Sequence, residues 1–435
     1  MITLVKKILE WKLAWLSRMI LSKYKPKVVG ITGSVGKTST KEAVYTVLSS
    51  KFRVRKNIKN YNNEIGVPLS IIGTESGNKN PFAWIWVFFK AMGLLVWRSK
   101  NYPEILVLEM GADKPGDIKY LTRLAPCRVG VITAIGPVHL EFFGTMDKLI
   151  REKHQMVLHM KKDDTAILNA DDQQVMSVRE KVRSRVLTFG FSELADIRAA
   201  EVDVSAGPSS DPWVDVQVKG LSFKFIHNGS IVPVFLPSVL GEHQVYMALA
   251  AAAVGLSFGM NLADISAALG NFVSPAGRMR LLSGIKHTSI IDDTYNSSPM
   301  AVKAALHVME KLKVSGRKFV VLGDMLELGQ YTEAGHREVG EAAATVADVL
   351  VTVGSRARII ADTATSHGLP EEGVFEFGDA LEAGKFVQER IKTGDIILVK
   401  GSQGARLERV VKELMAQPEK AGELLVRQGT EWTRG

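Results

Sequence analysis

Residues 28–40 read Val-Val-Gly-Ile-Thr-Gly-Ser-Val-Gly-Lys-Thr-Ser-Thr and have the residue types of a phosphate-binding loop. An apolar run, two glycines, a lysine and a threonine predict a strand, a tight turn and a helix start in that order. Backbone N–H groups at a helix N-terminus attract anions, Lys37 adds a cation, and the Thr38 hydroxyl can hold Mg²⁺. The standard pattern has glycine where Ile31 stands, but the closing Gly-Lys-Thr fits. The spacing therefore predicts a site for phosphate groups.

The segments after this loop indicate how it is positioned. Short apolar runs at 104–110, 128–135 and 165–169 predict strands that alternate with helices. This rhythm is typical of a doubly wound parallel sheet, which binds its ligands at the carboxyl ends of the strands. Glu109 and His139 both follow such strand ends, so we expect them near the loop.

Later segments predict two further parts. Residues 185–240 alternate between apolar and polar side chains, which predicts a small antiparallel sheet. A linker is expected at 274–277, and a second α/β unit follows it. The predicted fold class is therefore α/β: a central P-loop parallel-sheet ATPase domain with a small antiparallel sheet, plus a C-terminal Rossmann-like α/β domain.

Length and charge limit the alternatives. A chain of 435 residues is too long for one core. We predict a basic amphipathic segment at 1–27, a central ATP-binding domain at 28–274, a C-terminal domain at 275–417 and a polar tail at 418–435. Residues 1–27 hold seven lysines and arginines against one glutamate, so +6 of the net +9 lies there. The main body therefore lacks a nucleic-acid footprint. The single cysteine excludes an internal disulfide framework and suits a reducing cytoplasm.

Two apolar segments stand apart from the sheet pattern. Residues 1–24 predict an amphipathic helix because large apolar residues recur every three or four positions. These residues are Leu4, Ile8, Trp11, Trp15 and Met19. The helix either docks on its own protein or lies on an anionic membrane surface. Residues 82–97 are rich in aromatics and too short to span a bilayer; a hydrophobic flap, a helix pair with 1–24 and a membrane-contact patch all fit.

A series of motifs in one order resembles those of the Mur ligase family, the ATP-dependent amide-forming enzymes of peptidoglycan assembly. The loop at 32–38 is similar to the family's own, which also has an apolar residue before it. The other motifs lie at 62–68, 108–112, 139–141, 277–279, 292–296, 323–329 and 399–402, with Lys153 after the third. The resemblance covers residues 28–411.

The resemblance implies that ATP phosphorylates the carboxylate of a muramyl-peptide acceptor, and that an amine such as D-alanyl-D-alanine attacks the acyl phosphate. The implied cofactors are ATP and Mg²⁺. Thr38 and Glu109 would hold the Mg²⁺ that bridges the ATP phosphates, and His139 would bind a second ion. Lys153, fourteen residues after His139, would be carbamylated and become a metal ligand. The implied catalytic residues are Lys37, His139 and Lys153.

The resemblance also implies binding residues. The ATP contacts would be Gly33, Ser34, Val35, Gly36, Lys37, Thr38, Ser39, Arg278, Asp293 and Asn296. For Arg278 the alternative is an interdomain salt bridge. Asn62 and Asn63 are expected near the acceptor, although asparagine pairs are also common in turns. Asp324 and Glu327 are expected in the amine pocket, with a helix-cap role as the alternative for Asp324.

Two departures from the family pattern leave alternatives open. Family members usually carry an N-terminal domain that grips the UDP of the acceptor, whereas 27 residues precede the first strand here, so UDP recognition is not assumed. Gln244 and Met247 stand where asparagine is usual. One alternative is a relative that acts on a different or lipid-linked acceptor at the inner face of the membrane, through 1–24 and 82–97. The other is a non-catalytic nucleotide-binding scaffold.

Overall fold

The computed structural model describes residues 2–58, 61–78, 80–136, 143–208, 216–429 and 432. The chain forms two compact units. Unit 1 consists of residues 1–202, 223–235 and 244–272, and unit 2 of residues 203–222, 236–243 and 273–435.

Unit 1 is built on a parallel sheet. Its strands are β1 (Lys27–Thr32), β2 (Val54–Lys56), β3 (Ile105–Glu109), β4 (Val129–Ile132), β5 (Thr165–Asn169) and β6 (Arg185–Gly190). They lie in the order β2-β3-β1-β4-β5-β6, and each neighbouring pair is parallel. Only Lys27 of β1 is exposed, because a central parallel strand is covered on both faces. The predicted parallel sheet is confirmed, with the carboxyl ends of β1, β3 and β4 at one edge.

Three more strands follow in the same sheet. They are β7 (Ile197–Pro208), β8 (Val216–His227) and β9 (Ser230–Pro237), in the order β6-β7-β8-β9. β8 and β9 form a hairpin through Asn228 and Gly229, which both have the positive φ that such a two-residue turn requires. The sheet expected over residues 185–240 is therefore not separate: β6 pairs in parallel with β5 and β7, and the hairpin continues from them.

Some of the helices of unit 1 start at a side chain that caps them. They are α1 (Ile2–Tyr24), α2 (Lys37–Ser49), α3 (Gly66–Ile72), α4 (Pro81–Val96), α5 (Asp117–Leu124), α6 (Met146–Leu158), α7 (Gln173–Met176), α8 (Val245–Ser257) and α9 (Leu262–Leu269). At α4 the Asn80 side chain accepts from the backbone N–H of Phe82, and Pro81 occupies the first turn. At α6 the Thr145 side chain accepts from the N–H of Lys148.

The helix predicted over residues 1–24 is present as α1, but it docks through the face opposite the predicted apolar stripe. Leu13, Leu16 and Ile20 are buried in the core of unit 1, and each contributes about 1.5–3 kcal/mol to stability by burial. The stripe itself faces outward. Its exposed members are Ile8, Trp11, Trp15 and Met19, while the side chain of Leu4 lies outside the described residues. α1 therefore has two apolar faces, one of which packs on its own protein.

Unit 2 contains a second sheet. Its strands are β10 (Arg280–Ser283), β11 (Ser289–Asp293), β12 (Lys318–Gly323), β13 (Val349–Val353), β14 (Val374–Phe377) and β15 (Ile396–Lys400). Their order is β10-β11-β15-β12-β13-β14, with β10 antiparallel and the rest parallel. The helices are α10 (Pro299–Lys311), α11 (Thr332–Ala344), α12 (Arg358–Ser366), α13 (Ala380–Arg390), α14 (Glu408–Leu414) and α15 (Ala421–Leu424).

The segment after residue 417 differs from the polar tail that its composition predicts. Ala421 and Leu425 are buried in a core of unit 2. The guanidinium of Arg427 donates to the carbonyl oxygens of Thr294 and Tyr295 and to the carboxylate of Glu408. Residues 418–427 are therefore part of the packed structure of unit 2.

Candidate active site

The loop between β1 and α2 has the backbone that its glycines require. Gly33 and Gly36 have φ angles of +151° and +82°, which other residues rarely adopt. A Cβ on Gly33 would lie 2.1 Å from Oγ1 of Thr133, the residue that follows β4. The Thr133 hydroxyl donates to the carbonyl oxygen of Val35 at 2.6 Å. The loop is thus held at the carboxyl end of β4, and α2 begins at Lys37 as predicted.

Lys37 lies against this loop. Its Nζ donates to the carbonyl oxygens of Gly33 at 2.9 Å and Ser34 at 3.1 Å. The ammonium is therefore close to the N-terminus of α2, and both attract anions. Val35 is exposed and Ser39 is buried. The predicted ATP residues 33–39 form one continuous loop and helix start.

Glu109, the last residue of β3, is buried beside the loop. Its Oε2 accepts from the Thr38 hydroxyl at 3.0 Å, and its Oε1 accepts from Nδ2 of Asn62 at 3.1 Å. Nζ of the buried Lys41 lies 3.8 Å from Oε2. The Asn57 side chain bonds both the N–H and the carbonyl of Glu109, at 2.8 and 2.9 Å. Contacts from α2 and from the segment after β2 therefore fix this carboxylate in place.

The Thr38 and Glu109 oxygens fit a Mg²⁺ site. Hydroxyl and carboxylate oxygens are ligands that Mg²⁺ accepts, and the ion commonly takes one or two protein carboxylates together with substrate phosphates. Among the described residues, no group of three or more His, Cys, Asp or Glu forms a metal cluster; a site completed by phosphate needs none. His139, predicted for a second ion, lies outside the described residues, and its role stays a prediction.

Lys153, on α6, is buried. Burial, and after it the nearby charge of Lys37, lowers the pKa of its ammonium to about 7 against the opposing effect of nearby carboxylates. The adjacent Glu152 uses its two oxygens to accept from the N–H groups of Gly116 and Ile118, each at 2.7 Å. An amine with a pKa near 7 is substantially neutral at physiological pH, and the neutral amine is the nucleophilic form.

The two asparagines predicted at the acceptor have different surroundings. Asn62 bonds Glu109, as described. The Oδ1 of Asn63 accepts from the N–H groups of Ile65 at 3.2 Å and Gly66 at 2.9 Å, which supports the start of α3. Both asparagines line a small cleft whose other lining residues include Gly111, Asp113, Asp117 and Tyr120. Asn62 is thus placed at the Glu109 carboxylate, whereas Asn63 supports a turn.

In unit 2, Asp293 and Asn296 both accept hydrogen bonds from Lys400. Nζ of Lys400 donates to Oδ2 of Asp293 at 2.6 Å and to the carbonyl oxygen of Asn296 at 3.0 Å. Asp293 and Lys400 end β11 and β15, which are neighbouring parallel strands. The carboxyl ends of such strands are where α/β sheets bind ligands.

The turn that carries Arg278 is held by Asp292, which is fully buried. The Asp292 carboxylate accepts from the N–H of Gly277 at 3.0 Å and from the hydroxyl of Thr294 at 2.6 Å. Burial raises the pKa of Asp292 to about 6, although these hydrogen bonds oppose the rise. The guanidinium carbon of Arg278 lies 4.1 Å from the centre of the Tyr295 ring. The predicted nucleotide residues of unit 2 are thus grouped around one supported turn.

Asp324 and Glu327, predicted for the amine pocket, differ in their contacts. Oδ1 of Asp324 accepts from the N–H groups of Arg356 at 2.9 Å and Ala357 at 2.8 Å, in the turn before α12. Glu327 is exposed with φ of +63°. Asp324 therefore caps backbone N–H groups of the turn before α12, which differs from the helix-cap role that was its alternative. Glu327 is exposed to solvent.

We expect Asp324→Ala to lower the free energy of unfolding by about 1–3 kcal/mol, because the exposed N–H of Arg356 and the part-buried N–H of Ala357 lose a charged acceptor. Glu327→Ala is the matched control and should change it by less than about 0.5 kcal/mol. Urea unfolding of both variants measures this. An Asp324→Ala variant of normal stability but raised KM for the amine would contradict the capping role.

Three supporting residues were given no role from the sequence: Lys41, Asn57 and Lys400, although Lys400 lies in the motif at 399–402. Lys41 shares the buried face of α2 with Val44 and Leu48. A lysine within an apolar stripe is unusual enough to be a usable signal. Asn57 and Lys400 act on residues distant in sequence, and only the folded chain brings them together.

Comparison with known proteins agrees with this geometry. Residues 31–82 and 94–255 match the Mur ligase middle domain, and residues 277–403 match the Mur ligase, glutamate ligase domain. The UDP-N-acetylmuramoyl-tripeptide–D-alanyl-D-alanine ligase of Bacillus subtilis (strain 168) is 32% identical over 407 residues, 93% of this chain and 79% of that protein. The crystal structure of MurF ligase from Thermotoga maritima in complex with ADP has a TM-score of 0.73 at 29% identity, covering 94% of this chain and 84% of that one. MurF from Acinetobacter baumannii has a TM-score of 0.76 at 27% identity, covering 92% and 79%.

A phosphate loop on a parallel sheet, followed by a second α/β unit, is thus the arrangement of an ATP-dependent peptide ligase. The chain belongs to the Mur ligase family. The predicted family, α/β fold class, ATP dependence and ligase activity are confirmed. The matched residues leave out α1 and residues 83–93 of α4.

Proposed function

We propose that the chain joins an amine of the D-alanyl-D-alanine type to the carboxylate of a muramyl peptide. The observation that carries this proposal is the Thr38–Glu109 pair at the loop, with the buried Lys153 close enough to Lys37 for their charges to interact. A loop that only held a nucleotide would not require the buried Lys153 in addition to Lys37. The Bacillus subtilis relative is named for this reaction, which supports the proposal.

In the proposed reaction the acceptor carboxylate attacks the γ-phosphorus of ATP, and the bond to the bridging oxygen of ADP breaks. The amine then attacks the acyl carbon, phosphate leaves, and the nitrogen loses a proton as the amide forms. Residues 33–39 bind the phosphates through the loop and the start of α2. Lys37 neutralises the charge that develops on the transferring phosphoryl group.

The proposal includes Mg²⁺, which would supply charge neutralisation and alignment of the phosphates when bound. Thr38 and Glu109 would hold it. His139 and carbamylated Lys153 are the proposed ligands of a second ion. Carbamylation adds CO₂ to the neutral Nζ with loss of a proton and leaves a carboxylate-like oxygen donor. The lowered pKa of Lys153 supports this step, because it raises the neutral fraction of the amine.

The other predicted residues keep roles within the proposal. Arg278, Asp293 and Asn296 bind the nucleotide. Asn62 contacts the acceptor and Glu327 the amine, whereas Asn63 and Asp324 hold the backbone around them. The division between a central and a C-terminal domain after residue 274 is also retained as a proposal, whereas α1 packs in unit 1 and residues 418–427 pack in unit 2.

Phosphate release by the purified full chain tests this function. We expect release from ATP to require both UDP-muramyl tripeptide and D-alanyl-D-alanine, and mass spectrometry to find the amide product, because the acyl phosphate forms on one substrate and is consumed by the other. Release that is independent of both substrates would contradict a ligase. Nucleotide binding without turnover on any acceptor would instead favour the scaffold alternative.

A second candidate is a ligase that acts on a lipid-linked acceptor at the cytoplasmic face of the membrane. The exposed apolar side chains of residues 1–24 and 82–97 favour it, since a lipid-linked substrate stays at the bilayer. A panel of UDP-linked and lipid-linked muramyl peptides separates the two candidates. Higher kcat/KM for the lipid-linked peptide in vesicles than for the UDP-linked peptide would select the second.

A further inference from the structure

α4 carries an outward face made only of apolar side chains. Large residues recur there every three or four positions, and they are Phe82, Ile85, Trp86, Phe89, Met92 and Val96. Phe82 is 78% and Phe89 65% exposed. The one charged residue of the helix, Lys90, turns away and donates to the carbonyl oxygen of Gly73. A half-buried lysine beside two exposed phenylalanines reverses the usual arrangement of a helix at a protein–water surface.

α1 adds a second outward apolar face. Trp11 is 66% and Trp15 48% exposed, although the opposite face of the same helix is buried in the core. The two helices are joined at their C-terminal ends. Nζ of Lys23 donates to the carbonyl oxygens of Leu94 at 3.0 Å and Leu95 at 2.7 Å, and the Tyr24 hydroxyl donates to that of Leu94 at 3.0 Å. The two apolar faces therefore belong to one helix pair, which we call the α1–α4 surface.

Cations flank the α1–α4 surface. Within the described part of the chain, six of them have no side-chain hydrogen bond or ion pair: Lys7, Lys12, Arg18, Lys25, Arg98 and Lys100. Lys6, by contrast, lies 3.5 and 3.6 Å from Glu10 and Glu64. Arg18 also lines an open cavity with Arg123 beside the C-terminal half of α1. The surface thus presents apolar and aromatic side chains bordered by unpaired positive charge.

We infer that the α1–α4 surface lies in the headgroup region of an anionic lipid bilayer. Aromatic side chains settle at the boundary between headgroups and acyl chains, and basic residues around them pair with lipid phosphates. A protein partner would not need a basic border of this extent. Among the described residues no helix has the length and apolar content to cross a membrane. This contact is independent of the ligase reaction.

Co-sedimentation of the full chain with vesicles tests this inference. We expect binding to vesicles of phosphatidylcholine with phosphatidylglycerol, weaker binding to phosphatidylcholine alone, and loss of the difference at high salt. The triple variant Trp11→Gln, Phe82→Gln and Phe89→Gln should lower the partition coefficient at least about a hundredfold, because three large apolar side chains no longer insert. The control changes three exposed apolar residues elsewhere, Leu194→Gln, Ile231→Gln and Met300→Gln, and should bind as the unaltered chain does.

A charge variant separates recognition of anionic lipid from nonspecific hydrophobic adsorption. Lys7→Gln, Lys12→Gln and Lys25→Gln together should reduce binding to anionic vesicles by about a hundredfold at low salt and leave binding to neutral vesicles unchanged. Equal binding of the apolar triple variant and the unaltered chain would overturn the inference. The absence of vesicle binding together with dimer formation through the α1–α4 surface would also overturn it. Sedimentation velocity would then detect a dimer of the unaltered chain, and the apolar triple variant would be a monomer.

Discussion

Replacing Lys37 by alanine is expected to lower kcat by about a thousandfold or more, because the phosphate-binding loop loses the cation that neutralises the transferring phosphoryl group. The fold should be retained, since the Lys37 side chain donates to two carbonyl groups of its own loop, and the Thr133 hydroxyl also holds that loop through the carbonyl oxygen of Val35. Phosphate release and thermal unfolding, measured on the same preparation, give both quantities.

The control for this variant is Lys51→Ala, just beyond the end of α2. Lys51 makes a partly exposed ion pair with Asp264, so its loss should cost at most about 1 kcal/mol of stability and leave kcat unchanged. Activity of Lys37→Ala within a few fold of the unaltered enzyme would remove Lys37 from phosphoryl transfer. A parallel loss of melting temperature would point to a structural role instead.

Replacing Lys153 by alanine should abolish ligation, and a short carboxylate such as acetate should restore part of it by taking the place of the carbamate. Stability, unlike activity, should increase in Lys153→Met, because methionine removes the buried amine without leaving a cavity. The pKa of Lys153 is lowered in the folded protein to about 7, so between pH 7 and its unfolded value the unfolded chain binds more protons. Without CO₂ and bicarbonate, so that Lys153 stays a free amine, stability of the unaltered chain should therefore rise with pH over that range, and Lys153→Met should lose this rise.

Lys148, exposed on the same helix, provides the matched control. Lys148→Ala should keep the ligase activity and the pH dependence of stability of the unaltered chain, because the Lys148 side chain is exposed to solvent. Removal of CO₂ and bicarbonate should slow the unaltered enzyme and have no effect on the acetate-rescued variant. Full activity of Lys153→Ala without added carboxylate would end the carbamate assignment.

Local sequence patterns were sufficient to predict the parts of the site whose residues lie within a few positions of one another in the chain. The glycines, Lys37 and Thr38 belong to one turn, and a strand that ends on Glu109 predicts where that carboxylate stands. The contacts that hold Glu109 come from Asn57, 52 residues away, and from a lysine on the buried face of α2. Such pairs form only when strands and helices assemble, so periodicity within one segment does not reveal them.

The α1 stripe shows a second limit of sequence patterns. Spacing identifies an apolar face, and a buried face is the usual interpretation. α1 has apolar residues on both sides, and the less aromatic side, with Leu13 and Ile20, is the one in the core. Which of the two faces of α1 is buried depends on the apolar surface of unit 1 against which the helix packs. For the same reason Asp324 could be assigned to a cap only once the turn before α12 was seen beside it.

The hydrogen bonds from α1 to the last turn of α4 limit what a truncation of the N-terminal segment can show. Lys23 and Tyr24 satisfy carbonyl groups in the last turn of α4, which are otherwise without helical partners. Deleting residues 1–24 would also uncover the apolar residues against which Leu13 and Leu16 pack. A shortened protein that aggregates or loses activity would therefore say nothing about lipids. Point substitutions on the outward faces of α1 and α4 leave this closure intact, and they are the changes that can be interpreted.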